Sequence, residues 1–203
     1  MRKFVVVLVV MVLVWNIGTA LGVEITITSP AEIVKNPDFR NCRWGMTISE
    51  VKASESNVEW KEFDVINNAL EYDTMILNMD CSTSFYFDNQ GKLYRGGVWF
   101  YVSHSNEFLY YSDYTTVSDS LEKKYGKPYD HIEYWVDDYY GVYQNDKSQW
   151  GMAILLGKLV LSTQWETNTT NIMLAMMGDN YEVQFAIIYD DKNAQMVVDT
   201  TGI

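Results

Sequence analysis

The sequence predicts an α+β fold in which two helices pack on a largely antiparallel sheet. Three features favour this fold: a capped helix start at Thr47, apolar residues at helical spacing between Tyr110 and Tyr125, and several strand-like runs after residue 150. The elements come in the order helix, strands, helix, strands. Two helix-plus-sheet units in tandem are therefore one arrangement that the sequence allows.

The N-terminal residues have the composition of a secretory leader. Arg2 and Lys3 precede the apolar run Phe4–Trp15, and small residues follow as far as Gly22. A basic region, an apolar region and small residues in this order are typical of a signal peptide. The alternative is a membrane anchor, which needs about 20 apolar residues. We expect residues 1–22 to be cleaved and the protein to be secreted or periplasmic.

The remaining residues, 23–203, suffice for a single α+β domain, with 41–103 and 104–203 as its candidate halves. The chain has 27 acidic and 15 basic residues, which gives a net charge of −12. Because such a chain repels phosphate backbones, nucleic acid is not an expected partner. No further run approaches the length of a membrane span, so we expect no stable membrane insertion after leader cleavage.

The sequence contains two cysteines, Cys42 and Cys81. An even cysteine count in an exported chain favours a disulfide, which would stabilise the fold by roughly 4 kcal/mol. Two buried free thiols are the alternative. His104 and His131 have no second ligand at metal-binding spacing, so we expect neither a metal site nor a cofactor.

Local patterns place the individual elements. Thr47 and Glu50 form a capping box at the start of the first helix, and Gly126 followed by Pro128 ends the second helix. Apolar alternation predicts strands in four further runs besides a strand in 68–79 and a hairpin in 82–102. These four runs are 150–156, 158–165, 170–177 and 181–189.

Residues 45–51, "GMTISEV", resemble the G-x-[ST]-x-x-E-V helix start of the outer-membrane assembly lipoprotein and β-lactamase-inhibitor-protein-like superfamily. The Leu-Gly-x-Pro ending of that motif has a counterpart only in the second helix, at residues 125–128. "RWGMTISEVK" and "KYGKP" are also similar to bacterial exported proteins of uncharacterised function. The resemblance implies a binding scaffold of helices on antiparallel sheet, without catalytic residues.

Motifs of common enzyme classes are missing from the sequence. It contains no G-x-S-x-G, no H-E-x-x-H, no phosphate-binding loop and no dinucleotide fingerprint. Acidic doublets such as Asp137-Asp138 and Asp190-Asp191 do not supply the two facing carboxylates of a glycosidase, because neighbours on a strand point to opposite faces. We therefore predict no catalytic residues.

One stretch, residues 134–150, is a candidate ligand-binding site because aromatic rings crowd there beside acidic and amide groups. Its candidate residues are Tyr134, Trp135, Tyr139, Tyr140, Tyr143 and Trp150. Such rings stack against sugars or anchor a protein partner. The alternative is that they complete the core between the second helix and the last strands.

These observations together favour a non-catalytic exported binding protein whose partner is a protein or another envelope component. Two alternatives remain open. One is a carbohydrate-binding module of the envelope, which would use the aromatic stretch. The other is an envelope hydrolase whose Asp or Glu residues come together only in the fold.

Overall fold

A computed structural model of the chain describes residues 37–55, 57–64, 67–136 and 143–194. The predicted leader lies outside these residues. The described helices are α1 (Ile48–Ser54), α2 (Phe108–Tyr125) and α3 (Trp150–Leu155), and a short 3₁₀ turn, Lys147–Gln149, precedes α3. The described strands are β1 (Ala69–Ile76), β2 (Met79–Phe87), β3 (Leu93–Phe100), β4 (Asp130–Trp135), β5 (Leu159–Glu166), β6 (Thr170–Asp179) and β7 (Glu182–Asp191).

The seven strands form one sheet in the order β1-β2-β3-β7-β6-β5-β4. Every neighbouring pair is antiparallel. The central pair joins β3 to β7, with Gly97 opposite Ile188. Strands from both candidate halves therefore belong to one continuous sheet, with β1 and β4 at its edges.

The prediction of two helices on a sheet, with two tandem units, is wrong. The described residues form three helices on a single seven-stranded sheet. The extra helix is α3, which occupies a run that we predicted to be a strand. A short apolar run suits a buried helix as well as a buried strand, and Trp150, Ala153 and Ile154 are all buried in α3.

Local signals placed the other two helices correctly. The Thr47 amide donates to Glu50 Oε2 over 2.7 Å, and the Glu50 amide donates to Thr47 Oγ1 over 3.4 Å, so the capping box starts α1. Helix α2 buries Tyr110, Tyr114 and Leu121 on one stripe and ends at Gly126, whose φ is +85°. The start of α1 and the end of α2 thus lie where the capping rules predicted them.

The helices contact one face of the sheet. Tyr114 of α2 bonds to Thr163 of β5. The backbone of Ile154 in α3 lies against Gly178 of β6, and Glu55, the C-cap of α1, bonds to Tyr72 of β1. The core lies between these elements and this face, and the segment around Phe39 packs there too, on Phe85 and Tyr189.

We call the opposite side of the sheet, away from the helix contacts, the open face, although its central residues, such as Ser84, Ala186 and Ala175, are buried. Because side chains alternate along a strand, the register assigns its residues. They include Glu71 and Asp73 of β1, Ser82, Ser84 and Tyr86 of β2, Arg95, Gly97 and Trp99 of β3, Gln184, Ala186 and Ile188 of β7, Met173, Ala175 and Met177 of β6, Ser162 and Gln164 of β5, and Ile132 and Tyr134 of β4. Tyr101, which directly follows β3, continues the series of open-face residues of that strand.

The predicted disulfide is not formed, since Cys42 and Cys81 are both free and buried. The Cys81 thiol donates to the carbonyl of Thr74 over 3.5 Å. Burial raises the pKa of Cys42 to about 12 and that of Cys81 to about 11. Both thiols therefore serve as small neutral side chains of the core, a role that the cysteine count does not distinguish from a bridge.

Candidate functional site

The structure divides the aromatic residues of the candidate stretch between surface and core. Tyr134 is 58% exposed on the open face, whereas Trp135 and Trp150 are buried on the helix side. Their rings meet edge to face, with centroids 5.9 Å apart. Tyr143 is partly buried against the core. The structure thus brings Trp135, Trp150 and Tyr143 to the core side and separates Tyr134 from them.

Tyr139 and Tyr140 lie outside the described residues. Within the described part of the stretch, the Lys147 ammonium lies over the Trp150 ring, 4.7 Å from its centroid. The indole nitrogen of Trp150 is buried and has no hydrogen-bond partner there.

A chain of hydrogen bonds next to this stretch resembles an acid–base–hydroxyl series. Glu133 Oε1 lies 3.3 Å from His131 Nε2, and His131 Nδ1 lies 2.7 Å from Thr163 Oγ1. Thr163 Oγ1 is in turn 2.7 Å from the Tyr114 hydroxyl. Thr163 is only 1% exposed and Tyr114 only 2%. No substrate reaches a hydroxyl sealed in this way, so the chain satisfies the buried Tyr114 hydroxyl.

A second histidine also has a structural role. His104 Nε2 lies 2.6 Å from Asp113 Oδ2, and the His104 amide donates to the Tyr110 hydroxyl over 3.1 Å. These contacts fix the loop before α2 to the first turns of that helix. In the described portion of the chain, no hydroxyl or thiol is hydrogen-bonded to the His104 ring.

A cavity of about 410 Å³ opens between α2, the sheet and the segment around Arg40. Its apolar wall includes Phe39, Val98, Val117, Leu121, Ile187 and Tyr189. Arg40 and Lys124 also line it, and none of its described lining residues is a carboxylate. Burial, and then the neighbouring Tyr125, raise the pKa of Tyr189 far above its usual value, so the wall under these cations is neutral.

Arg40 is held in place by a buried acid. Glu55 is 3% exposed and accepts hydrogen bonds from the Asn41 amide, over 2.9 Å, and from the Tyr72 hydroxyl, over 2.7 Å. Arg40 Nε lies 3.8 Å from Glu55 Oε2. The carboxylate thus ties the segment before α1 to β1 and positions Arg40 at the cavity.

The open face combines aromatic rings with small residues. A Cβ atom at Gly97 would lie 2.8 Å from Trp99 Nε1, so the indole of Trp99 lies directly over Gly97. Trp99 and Ser84 hydrogen-bond with the Tyr86 hydroxyl, and burial raises the pKa of that hydroxyl. Tyr101 is 53% exposed beside these residues.

Two polar atoms of the open face lack partners. Ser162 Oγ and Gln184 Oε1 are buried and have no hydrogen-bond partner in the described structure. Ala175 and Met177, on the strand between them, are their respective neighbours. Buried polar atoms are paired in the great majority of cases, and an unpaired one calls for an explanation.

Sequence reasoning did not find the cavity or the open face. Arg40 and Lys124 are far apart in sequence and line the same cavity only through the fold.

In the described regions, no helix has the length and apolarity to cross a membrane. No group of three or more His, Cys, Asp or Glu residues in those regions is placed to hold a metal.

Comparisons with protein-family models, with curated proteins and with solved structures found no match to this chain. The resemblance of residues 45–51 to a superfamily of binding scaffolds therefore stays a prediction.

Proposed function

We propose that the protein is a non-catalytic exported binding protein and that its open face binds a protein partner. The observation that carries this proposal is the exposure of two tyrosines on the open face, Tyr101 at 53% and Tyr134 at 58%. The contacts that fix α1, α2 and α3 lie on the other face.

The exposed part of the open face is limited to its flanks. Ala186, Ala175 and Ser162, on the strands between the two tyrosines, are buried. We therefore expect a partner that contacts this face at Tyr101 and Tyr134.

The chemistry of the open face supports the same proposal. Tyr and Trp rings supply most of the binding energy at many interfaces, and this face carries Tyr86, Trp99, Tyr101 and Tyr134. Tyr134 lies on β4, and Tyr101 directly follows β3, which is four strand positions from β4 in the sheet.

Capture from the envelope fraction of the native host tests this function. The mature protein is immobilised, retained proteins are identified, and the affinity of the main one is measured for Tyr101→Ala, Tyr134→Ala and Phe108→Ala. Phe108 is a matched control because it is 44% exposed but belongs to α2, which packs on the helix side.

We expect each tyrosine variant to lose about 1–2 kcal/mol of binding free energy, which is a five- to thirtyfold loss of affinity. Phe108→Ala should bind like the parent protein. Equal affinities of all four proteins would place the partner elsewhere. Binding of glycans, in place of a protein, by the open face would favour the carbohydrate-binding alternative.

A further inference from the structure

The cavity beside α2 lies on the other side of the sheet from the open face and calls for a separate explanation. It has an apolar wall and two cations at its lining, Arg40 and Lys124. These cations stand out because the whole chain has a net charge of −12. We infer that this cavity binds a small amphipathic carboxylate, with its hydrocarbon chain against Ile76 and Leu77 and its anionic group between Arg40 and Lys124.

The volume and the wall of the cavity fit such a ligand. About 410 Å³ lies within the range of roughly 300–1,000 Å³ found for small-molecule sites. Ile76, at the end of β1, and the adjacent Leu77, which is 43% exposed, contribute the accessible aliphatic side chains of the wall. A hydrocarbon chain gains free energy by leaving water for such a wall, which raises the affinity about fourfold for each buried CH₂ group.

The positions of the two cations define where the anionic group binds. The Arg40 side chain is 34% exposed, and Glu55 behind it restrains the guanidinium group. Lys124 is exposed, and its ammonium stands 4.9 Å from the centroid of the Tyr125 ring. One cation is therefore held by Glu55, and the other lies at the exposed C-terminal end of α2.

An aliphatic monoanion fits better than a free inorganic anion. A phosphate or acetate ion would contact only the two cations, and each exposed ion pair raises the affinity at most about fivefold. The apolar wall adds binding free energy only if the anion carries a hydrocarbon chain. An uncharged alcohol of the same length would bind to the wall but would lose both ionic contacts.

The test is calorimetric titration of the purified mature protein with octanoate and decanoate, with acetate and octan-1-ol as reference ligands. We expect decanoate to bind most tightly, octanoate next, octan-1-ol more weakly than octanoate, and acetate not measurably. At a hundredfold excess over its Kd, decanoate should raise the melting temperature by roughly 5–10 °C.

Three variants locate the site. Lys124→Gln should weaken decanoate binding about two- to fivefold, whereas Lys123→Gln, on the same helical turn but outside the cavity lining, should bind like the parent protein. Ser120→Phe places a ring in the cavity, where Ser120 is part of the lining, and should abolish binding. The circular-dichroism spectrum of each variant verifies its fold.

Several outcomes would overturn the inference. They are an absence of binding and of a melting shift with decanoate, equal losses in Lys123→Gln and Lys124→Gln, and full binding by a folded Ser120→Phe variant. Octan-1-ol binding as tightly as octanoate would also refute the role of the two cations. None of these outcomes depends on the partner of the open face.

Discussion

Gly151 of α3 lies against the backbone of Glu107, at the start of α2. A Cβ atom at Gly151 would be only 1.8 Å from the Glu107 carbonyl oxygen. The two helices can approach this closely because glycine has no side chain. This contact explains how a helix of six residues fits between α2 and the strands β5 and β6.

Gly151→Ala should therefore destabilise the protein. The added methyl group meets a backbone atom, which cannot rotate away, so α3 must shift. We expect a loss of about 1–3 kcal/mol in the free energy of unfolding and a fall of roughly 2–12 °C in the melting temperature. Gln149→Ala, at the exposed position before α3, is the control and should change little. A melting temperature equal to that of the parent would refute this packing of α3.

Much of the fold was predictable where the signal is local. The capping box of Thr47 and Glu50 and the stripe ending at Tyr125 need only neighbours in sequence, and both helices lie where these patterns predicted them. The hairpin of β2 and β3 was also predicted, with its turn at residues 88–92.

The remaining elements depend on contacts that are distant in sequence. The apolar pattern of residues 150–156 suits a strand as well as a helix, and the packing of Gly151 against Glu107 favours the helix. β4 was not assigned because, as an edge strand, it carries the charged residues Asp130 and Glu133 in place of clean apolar alternation. The pairing of β3 with β7, which creates the continuous sheet, also has no local signal.

The capping box predicts a specific pH dependence. The amide and then the hydroxyl of Thr47 bond to Glu50 and lower the pKa of its carboxyl below 4.5. A carboxylate whose pKa is lower in the folded than in the unfolded state stabilises the fold above the unfolded pKa. This stabilisation is lost as the pH falls through the folded pKa.

In Glu50→Gln the side chain can still accept a hydrogen bond from the Thr47 amide, but it carries no charge. We expect the parent protein to be more stable than this variant near pH 7 and the difference to vanish as the pH falls well below 4.5. Urea unfolding between pH 3 and pH 7 measures this difference, and Glu59→Gln, an exposed acid beyond α1, is the control. A difference that does not change with pH would contradict this role of Glu50.

The free cysteines predict the outcome of a thiol titration without reductant. Since burial raises the pKa of Cys42 and of Cys81 to about 12 and about 11, neither thiol should react with a disulfide reagent at pH 8 in the folded protein. In denaturant both should react, and the count should be two, because the chain has two cysteines. A count of zero in denaturant would mean that the two cysteines form the disulfide after all.

The central claim is that the open face binds the partner, and site-specific photo-cross-linking tests it most directly. A photoreactive phenylalanine analogue replaces Tyr101, Tyr134 or Phe108 in turn, and the mature protein is irradiated in the envelope fraction. The account predicts that Tyr101 and Tyr134, on the open face, cross-link to the same protein partner and that Phe108 does not. Cross-links from Phe108 alone, or equal cross-links from all three positions, would contradict it.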